Sequence, residues 1–258
     1  MDELKRQQQE CFDRDYATPA GEAAPPTQVA AWLWEREMQT ALRLAGGSVD
    51  NLTGLSVCCG RGAEAEWFAG RGARITATDL SPEAVRNIRA RQTLRITAEV
   101  ADAEHLPFAD KSFDFAFVRH GLHHLPHPYL GIYEMIRVAR RFVIIWEAQD
   151  NWLMRRLAGG HLFGLLPSGG ETEPSGNYVY RFGRRELQKI AHGMFLPPVK
   201  IRCAWHHNNQ PMECLHKKLF PGRAGLTAAK AFYGTVDALG RYWGNNLIVV
   251  FPLVGTER

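Results

Sequence analysis

Apolar and polar positions along this chain switch repeatedly between two periods, and the switches mark out its elements. Runs at 55–59, 74–78, 96–100, 112–118 and 142–146 are short, rich in β-branched or aromatic residues, and bounded by turn formers, as buried strands are. Stretches of helical character lie between them. Residues 63–68 are helix formers, Ser81 and Pro82 open a helix to about Arg91 as N-cap and first helical residue, and 128–139 carries Leu130, Ile132, Met135 and Ile136. Strand alternating with helix predicts an α/β chain with a parallel, doubly wound sheet. A further helix is expected over 182–194, with Leu187 and Ile190 inward, and two last strands over 199–205 and 246–253. Upstream, Pro25-Pro26-Thr27 opens a helix to about Leu44 that packs Val29, Leu33, Met38 and Leu42 on the core, with Trp32 and Trp34 pointing elsewhere. The first sixteen residues are polar and helix-permissive, and Phe12 and Tyr16, four apart, share one helical face.

The first strand ends on Gly60-Arg61-Gly62, and the second ends on an acid, Asp79, about 20 residues after the first glycine. Glycines let a ligand lie against bare backbone at a helix N-terminus, and a carboxylate at the neighbouring strand tip can accept two hydrogen bonds from a ribose diol. Asp102 follows the third strand as Asp79 follows the second, where an acid can accept from an adenine amino group. The segment Gly60-Arg61-Gly62-Ala63-Glu64-Ala65 also fits G-x-G-x-x-A, so a nicotinamide or flavin dinucleotide enzyme stays open on spacing alone.

Four stretches in order resemble the motifs of class I (Rossmann-like) S-adenosylmethionine-dependent methyltransferases, in their small-molecule, type 11-like branch. They are the glycine turn after 55–59, Asp79-Leu80-Ser81-Pro82-Glu83-Ala84, 101–108 (ADAEHLPF), and 112–118 (SFDFAFV) followed by 119–125 (RHGLHHL). The resemblance is strong over 55–147 and elsewhere extends only to the order of elements. It implies a seven-stranded, mostly parallel sheet with an antiparallel C-terminal strand, N-terminal helices, and a long insertion between the last two strands. Residues 1–258 are then one domain: 1–46 a helical lid, 52–147 the cofactor-binding half, and 148–182 and 206–244 on the substrate side. The implied cofactor is S-adenosyl-L-methionine, held by Tyr16, Cys58, Gly60, Gly62, Asp79, Leu80, Asp102, Ala103 and Arg119. In the family an acid usually stands two residues before the first of three glycines; here those places hold Ser56 and Cys58.

Composition narrows the alternatives. The chain has 258 residues, 45% hydrophobic and 22% charged, an ordinary globular balance. Its net charge of +4 is spread along the chain without a long basic run, which argues against a nucleic-acid partner. No stretch approaches the ~18 apolar residues of a membrane span. Five cysteines, Cys11, Cys58, Cys59, Cys203 and Cys214, form no C-x-x-C pair and fit a reducing, cytoplasmic setting. His120, His123, His124 and His127 would align on a continuous helix, but Pro126 and Pro128 break it and no neighbouring carboxylate completes a ligand set, so no metal is expected.

The expected activity is methyl transfer to a small-molecule acceptor, on a hydroxyl or carboxylate oxygen. His120, just past the fourth strand, is the expected base, with its unperturbed pKa of ~6.5 leaving it mostly neutral at pH 7. Phe12, Tyr16, the aromatics Trp152, Phe163, Tyr178 and Tyr180, and the 206–244 insertion are expected to roof the acceptor. A protein that binds the cofactor without catalysis is the non-enzyme alternative. The oligomeric state stays open, a homodimer among the possibilities.

Overall fold

A computed structural model describes residues 3–17, 27–150, 178–204, 216–239 and 244–254. Two helices lead: α1 (Glu3–Ala17) and α2 (Gln28–Ala45). The alternating core follows as β1 (Thr53–Val57), α3 (Ala63–Ala69), β2 (Arg74–Asp79), α4 (Pro82–Ala90), β3 (Ile96–Val100), β4 (Phe113–Arg119), a 3-10 turn (Leu122–His124), α5 (Pro128–Val138) and β5 (Ala139–Ala148). Then come α6 (Arg184–Gly193), β6 (Lys200–Ala204), α7 (Gly222–Leu239) and β7 (Asn246–Pro252). The seven strands form one sheet in the order β3-β2-β1-β4-β5-β7-β6. The first five are parallel, and β7 runs antiparallel to both β5 and β6. This is an α/β, Rossmann-like sheet with its order reversing at β1 and β4, where such folds open a ligand crevice.

Period-two alternation assigns each strand residue to a face. Phe115 and Phe117 of β4, Phe142, Ile144 and Trp146 of β5, and Ile248 and Val250 of β7 pack towards α2 and α3. Ala116, Val118, Val143, Ile145, Leu247 and Val249 pack on the other face towards α5 and α6. Small residues beside large ones let Phe68 of α3 nest 4.6 Å from the Phe117 ring and 5.3 Å from Phe115. Each such fully buried ring contributes about 1.5–3 kcal/mol relative to exposure.

The caps explain where the helices start. Thr27 Oγ1 accepts the Ala30 N–H (3.1 Å) before α2, and Ser81 Oγ accepts that of Ala84 (3.1 Å) before α4, with Pro82 first in the helix. Strand β5 is longer than expected: Ala139 pairs with Phe113, so Arg140 and Arg141 continue the strand, exposed, before its buried stretch. Helix α7 supplies order within the expected insertion. It docks on the outer side of α2, where Val29, Leu33, Ala229 and Tyr233 form a satellite core with Trp32, and where the buried His216 Nε2 meets the Tyr233 hydroxyl at 2.7 Å. Among the described residues no helix is long and apolar enough to cross a membrane.

Candidate active site

The carboxyl ends of β1, β2 and β4 open into a cavity of about 650 Å³. Its floor is the turn Cys58–Arg61, one wall is Asp79 with Leu80, and the other is Arg119-His120-Gly121 with His124. Phe12 and Tyr16 of α1 and Trp34 of α2 close over it.

Asp79 is 7% exposed and uses both oxygens to fix the floor: the Gly60 N–H donates to Oδ2 (2.8 Å) and the Ser81 N–H to Oδ1 (3.0 Å). Burial raises its carboxyl above the ordinary value, and these two N–H groups offset only part of that. The floor itself is backbone with little room. A Cβ on Gly60 (φ +47°) would stand 2.8 Å from the Tyr16 hydroxyl, and one on Gly121 would stand 2.4 Å from Cys58 Cβ. The loops after β1 and β4 therefore approach this closely only because residue 121 carries no Cβ. Cys58 (φ 49°) and His120 (φ 51°) adopt left-handed backbone, uncommon without a glycine and concentrated at functional sites. Burial, followed by Asp79, pushes the Cys58 and Cys59 thiols well up, so neither is a thiolate nucleophile at neutral pH.

Asp102 and Ala103 lie beside the cavity rather than on its lining. Lys5 of α1 reaches Asp102: its ammonium pairs with that carboxylate and, at 2.7 Å, with Glu104, while the Glu104 N–H donates to Asp102 Oδ1 (2.9 Å). Burial works to raise the Asp102 carboxyl, and Lys5 with that N–H outweighs it and holds the group below its usual value. An adenine amino group reaching Asp102 would share it with Lys5. The same helix is stitched along its length, by Gln8 to the His124 carbonyl, by Asp13 to the Ser81 hydroxyl and by Asn87 Nδ2 donating to the Tyr16 carbonyl (2.7 Å).

The histidines separate into two pairs. His120 and His124 line the cavity, the latter with its ring 5.2 Å from that of Phe12. His123 Nδ1 meets Glu147 Oε2 at 2.7 Å, and His127 pairs with Glu104. Glu147, fully buried at the end of β5, also accepts the N–H groups of Gly121 (3.0 Å) and Leu122 (2.7 Å), so one carboxylate sets the loop that carries all three of His120, His123 and His124. Sequence spacing shows no carboxylate beside the histidines; the sheet brings Glu147 to His123 from the end of the next strand. The ligand atoms of His120, His123 and Glu147 lie within 4.8 Å of one another, although His123 and both Glu147 oxygens already have hydrogen-bond partners.

Three more residues, Trp34, Glu64 and Glu37, join the site without having been singled out for it in the sequence. Trp34, expected to point elsewhere, lines the cavity and donates from Nε1 to Glu64 Oε1 (3.1 Å). Arg119 faces Glu64 at 3.3 Å and Glu37 at 3.4 Å, and Glu37, 1% exposed, accepts from Asn246 Nδ2 (3.1 Å). Glu37 had a legible signal: it stands four residues after Leu33 and four before Ala41 on the apolar face of α2, where an acid needs a partner. Gly62 backs the turn against α4, where its Cβ would meet Ile88 and Arg91 at 3.0 Å.

The residues of the expected roof are placed differently. Phe12 and Tyr16 line the cavity; Tyr178, exposed, and Tyr180 do not, nor does any described residue of the insertion. Trp152, Phe163 and the remainder of the proposed roof fall outside the described residues.

Comparison with known proteins agrees with this geometry. Residues 55–145 match the family model of a type 11 methyltransferase domain. A ubiquinone/menaquinone biosynthesis C-methyltransferase from Stutzerimonas stutzeri is 28% identical over 130 residues, 47% of this chain and 51% of that one. The chain thus spans about half the length of the curated relative it matches. Among solved structures, a Haloferax volcanii chain in complex with the Trm112 methyltransferase activator superposes with a TM-score of 0.59 at 18% identity, covering 95% of this chain and 98% of that one. The magnesium protoporphyrin IX methyltransferase of Synechocystis, solved with bound S-adenosylhomocysteine, gives 0.57 at 14% identity, covering 98% and 100%. The structural likenesses establish the fold, and over residues 55–145, the cofactor half, the sequence matches a class I S-adenosylmethionine-dependent methyltransferase domain of the type 11 kind.

Proposed function

We propose that this protein transfers the methyl group of S-adenosylmethionine to a small, flat, partly apolar acceptor, on a hydroxyl or carboxylate oxygen. The observation that carries the reading is Asp79 hydrogen-bonded to the Gly60 backbone in the same cavity that exposes His120 and His124. Asp79 would accept from the ribose hydroxyls, Gly60 and Gly62 would keep the backbone open beneath the ligand, Leu80 and Ala103 would flank the adenine, and Asp102 would reach its amino group. Cys58, Tyr16 and the Arg119 backbone would border the sulfonium and its amino-acid end. When bound, the cofactor supplies a methyl group already activated on positive sulfur, so this chain's own task is to align the acceptor, exclude water and hold its proton. Phe12 and Tyr16 exclude water. His120 would take the proton of a hydroxyl acceptor, with His123 and Glu147 behind it fixing the loop.

A second reading, methylation on a ring carbon, is favoured by the name of the Stutzerimonas stutzeri relative; it needs the same base to form a phenolate. Calorimetry with S-adenosylhomocysteine, NAD, NADP and FAD tests the assignment. Binding of the first alone is expected, whereas tight nicotinamide or flavin binding without the adenosyl ligand would overturn it. Binding without label transfer from methyl-labelled cofactor to any aromatic hydroxyl, carboxylate or hydroquinone panel member would favour a non-catalytic binder.

A further inference from the structure

A second cavity, of about 560 Å³, lies between the C-terminal half of α2, strand β6 and the end of α7, and its described lining shares no residue with that of the first. Its walls include Arg36, Thr40 and Arg43 of α2, Arg202 of β6 and Asp237 of α7, with Glu37 between it and Arg119. We propose that this cavity binds a phosphoryl group, borne by a small molecule or free as phosphate, on the guanidinium groups of Arg36, Arg43 and Arg202. The site stands whether or not the first cavity transfers methyl groups.

Three observations carry it. First, positive charge is in excess. Asp237 pairs with Arg36 at 2.9 Å and Glu37 with Arg119 at 3.4 Å, while among the described residues no carboxylate pairs with Arg43 or Arg202. A phosphoryl dianion balances those two remaining cations, which a single carboxylate does not. Second, Arg36 is held ready. Its guanidinium carbon stands 4.8 Å from the centroid of the Trp32 ring and 5.9 Å from that of Tyr233, and Nη2 is buried with no hydrogen-bond partner among the described residues. A buried charged donor left unpaired is costly, and an anion oxygen entering from the cavity would pair it. Third, the arginines reach one cavity from two elements. Arg36, Thr40 and Arg43 follow one another at helical spacing along α2, and Arg202 comes from β6, where its register partner Ile248 packs towards α2. Arg43 stands in the last turn of α2, where a cation suits the helix dipole, yet the dipole accounts for neither Arg202 nor the unpaired nitrogen of Arg36.

Titration of the isotope-labelled protein with inorganic phosphate, phenyl phosphate and benzoate, at an ionic strength held by sodium chloride, tests this through the arginine Nε–H signals in nuclear magnetic resonance. At least one of the two phosphates should shift the Arg36, Arg43 and Arg202 signals saturably, with half-saturation at roughly 1 mM or below. Tighter binding of inorganic phosphate would identify the free ion as the occupant, and tighter binding of phenyl phosphate an organic ester. Replacing both exposed arginines, Arg43→Gln with Arg202→Gln, should weaken that binding by roughly tenfold or more and leave the melting temperature in place. Should the double variant unfold, Arg202→Gln alone, on the edge strand β6, carries the same comparison. Shifts that never saturate, that survive the substitutions, or that benzoate reproduces at equal concentration would overturn the proposal.

Discussion

Asp79 shows how much one side chain does here. Both its oxygens already hold backbone N–H groups, of Gly60 and Ser81, so Asp79→Ala removes the proposed ribose acceptor and frees the glycine turn at once. The expected result is a loss of ~1.5–3 kcal/mol in S-adenosylhomocysteine affinity, roughly ten- to a hundredfold, together with a lowered melting temperature. A variant with parental affinity would remove Asp79 from the ligand. For His120 the measurement is the rate of methyl transfer at saturating cofactor from pH 6 to 9. Loss of a general base in His120→Ala should lower it by ~10²–10⁴, and a rate within a few-fold of wild type at every pH would take His120 out of the mechanism. Asp79, Gly60 and His120 were legible because each stands at a strand end, a place that spacing alone locates. Glu64 and Glu147 were not, since each acts on a partner on a different element, far along the chain, that only the sheet brings near.

Among the elements, β1, β4 and β5 are fastened at the end of the sheet away from the cavity by Asp114. Its carboxylate accepts from the Thr53 N–H (2.8 Å) and hydroxyl (2.9 Å) and from Arg140 Nε (2.9 Å). Burial alone would raise this carboxyl; the Arg140 and Thr53 bonds prevail and bring it from 3.8 to about 2. A depressed folded value means the stabilisation is complete above the unfolded pKa and is lost as pH falls from about 4 through about 2. Asp114→Asn should therefore cost on the order of 1–2 kcal/mol in urea unfolding at pH 7, and the gap to wild type should close by about pH 2. A gap independent of pH would mean that the carboxylate's charge is not its source. Helix α1 depends on Lys5 in another way, since the pair with Asp102 and Glu104 is the polar tie at its N-terminal end. Lys5→Met should speed amide exchange through α1 while α4, capped by its own Ser81, keeps its rate; unchanged α1 protection would assign the anchoring to Phe12 and Tyr16 instead.

Over the whole molecule, two cores share the sheet as their common wall, and a third, smaller cluster joins α7 to α2. Tyr233→Ala, which removes the ring packed near Trp32 and bonded to His216, should loosen α7 in hydrogen exchange and leave β1, β4 and β5 protected; equal loosening everywhere would show one cooperative unit. The amino-acid sequence by itself determined the alternation of strand and helix, the glycine turn, Asp79 at its partner strand and the histidine-bearing loop, because periodicity and short-range spacing are local properties that survive without a fold. It also carried the family's strand count and the antiparallel ending, through motifs that resemble known ones. Tertiary structure alone decided that Trp34 turns into the cavity, that Lys5 lies on Asp102, that Glu147 sets the histidine loop, and that α7 docks on α2 rather than over the described part of the cavity. Each of these joins residues distant along the chain, and which polar groups meet depends on how a twisted sheet aims its strand ends, which no local pattern records.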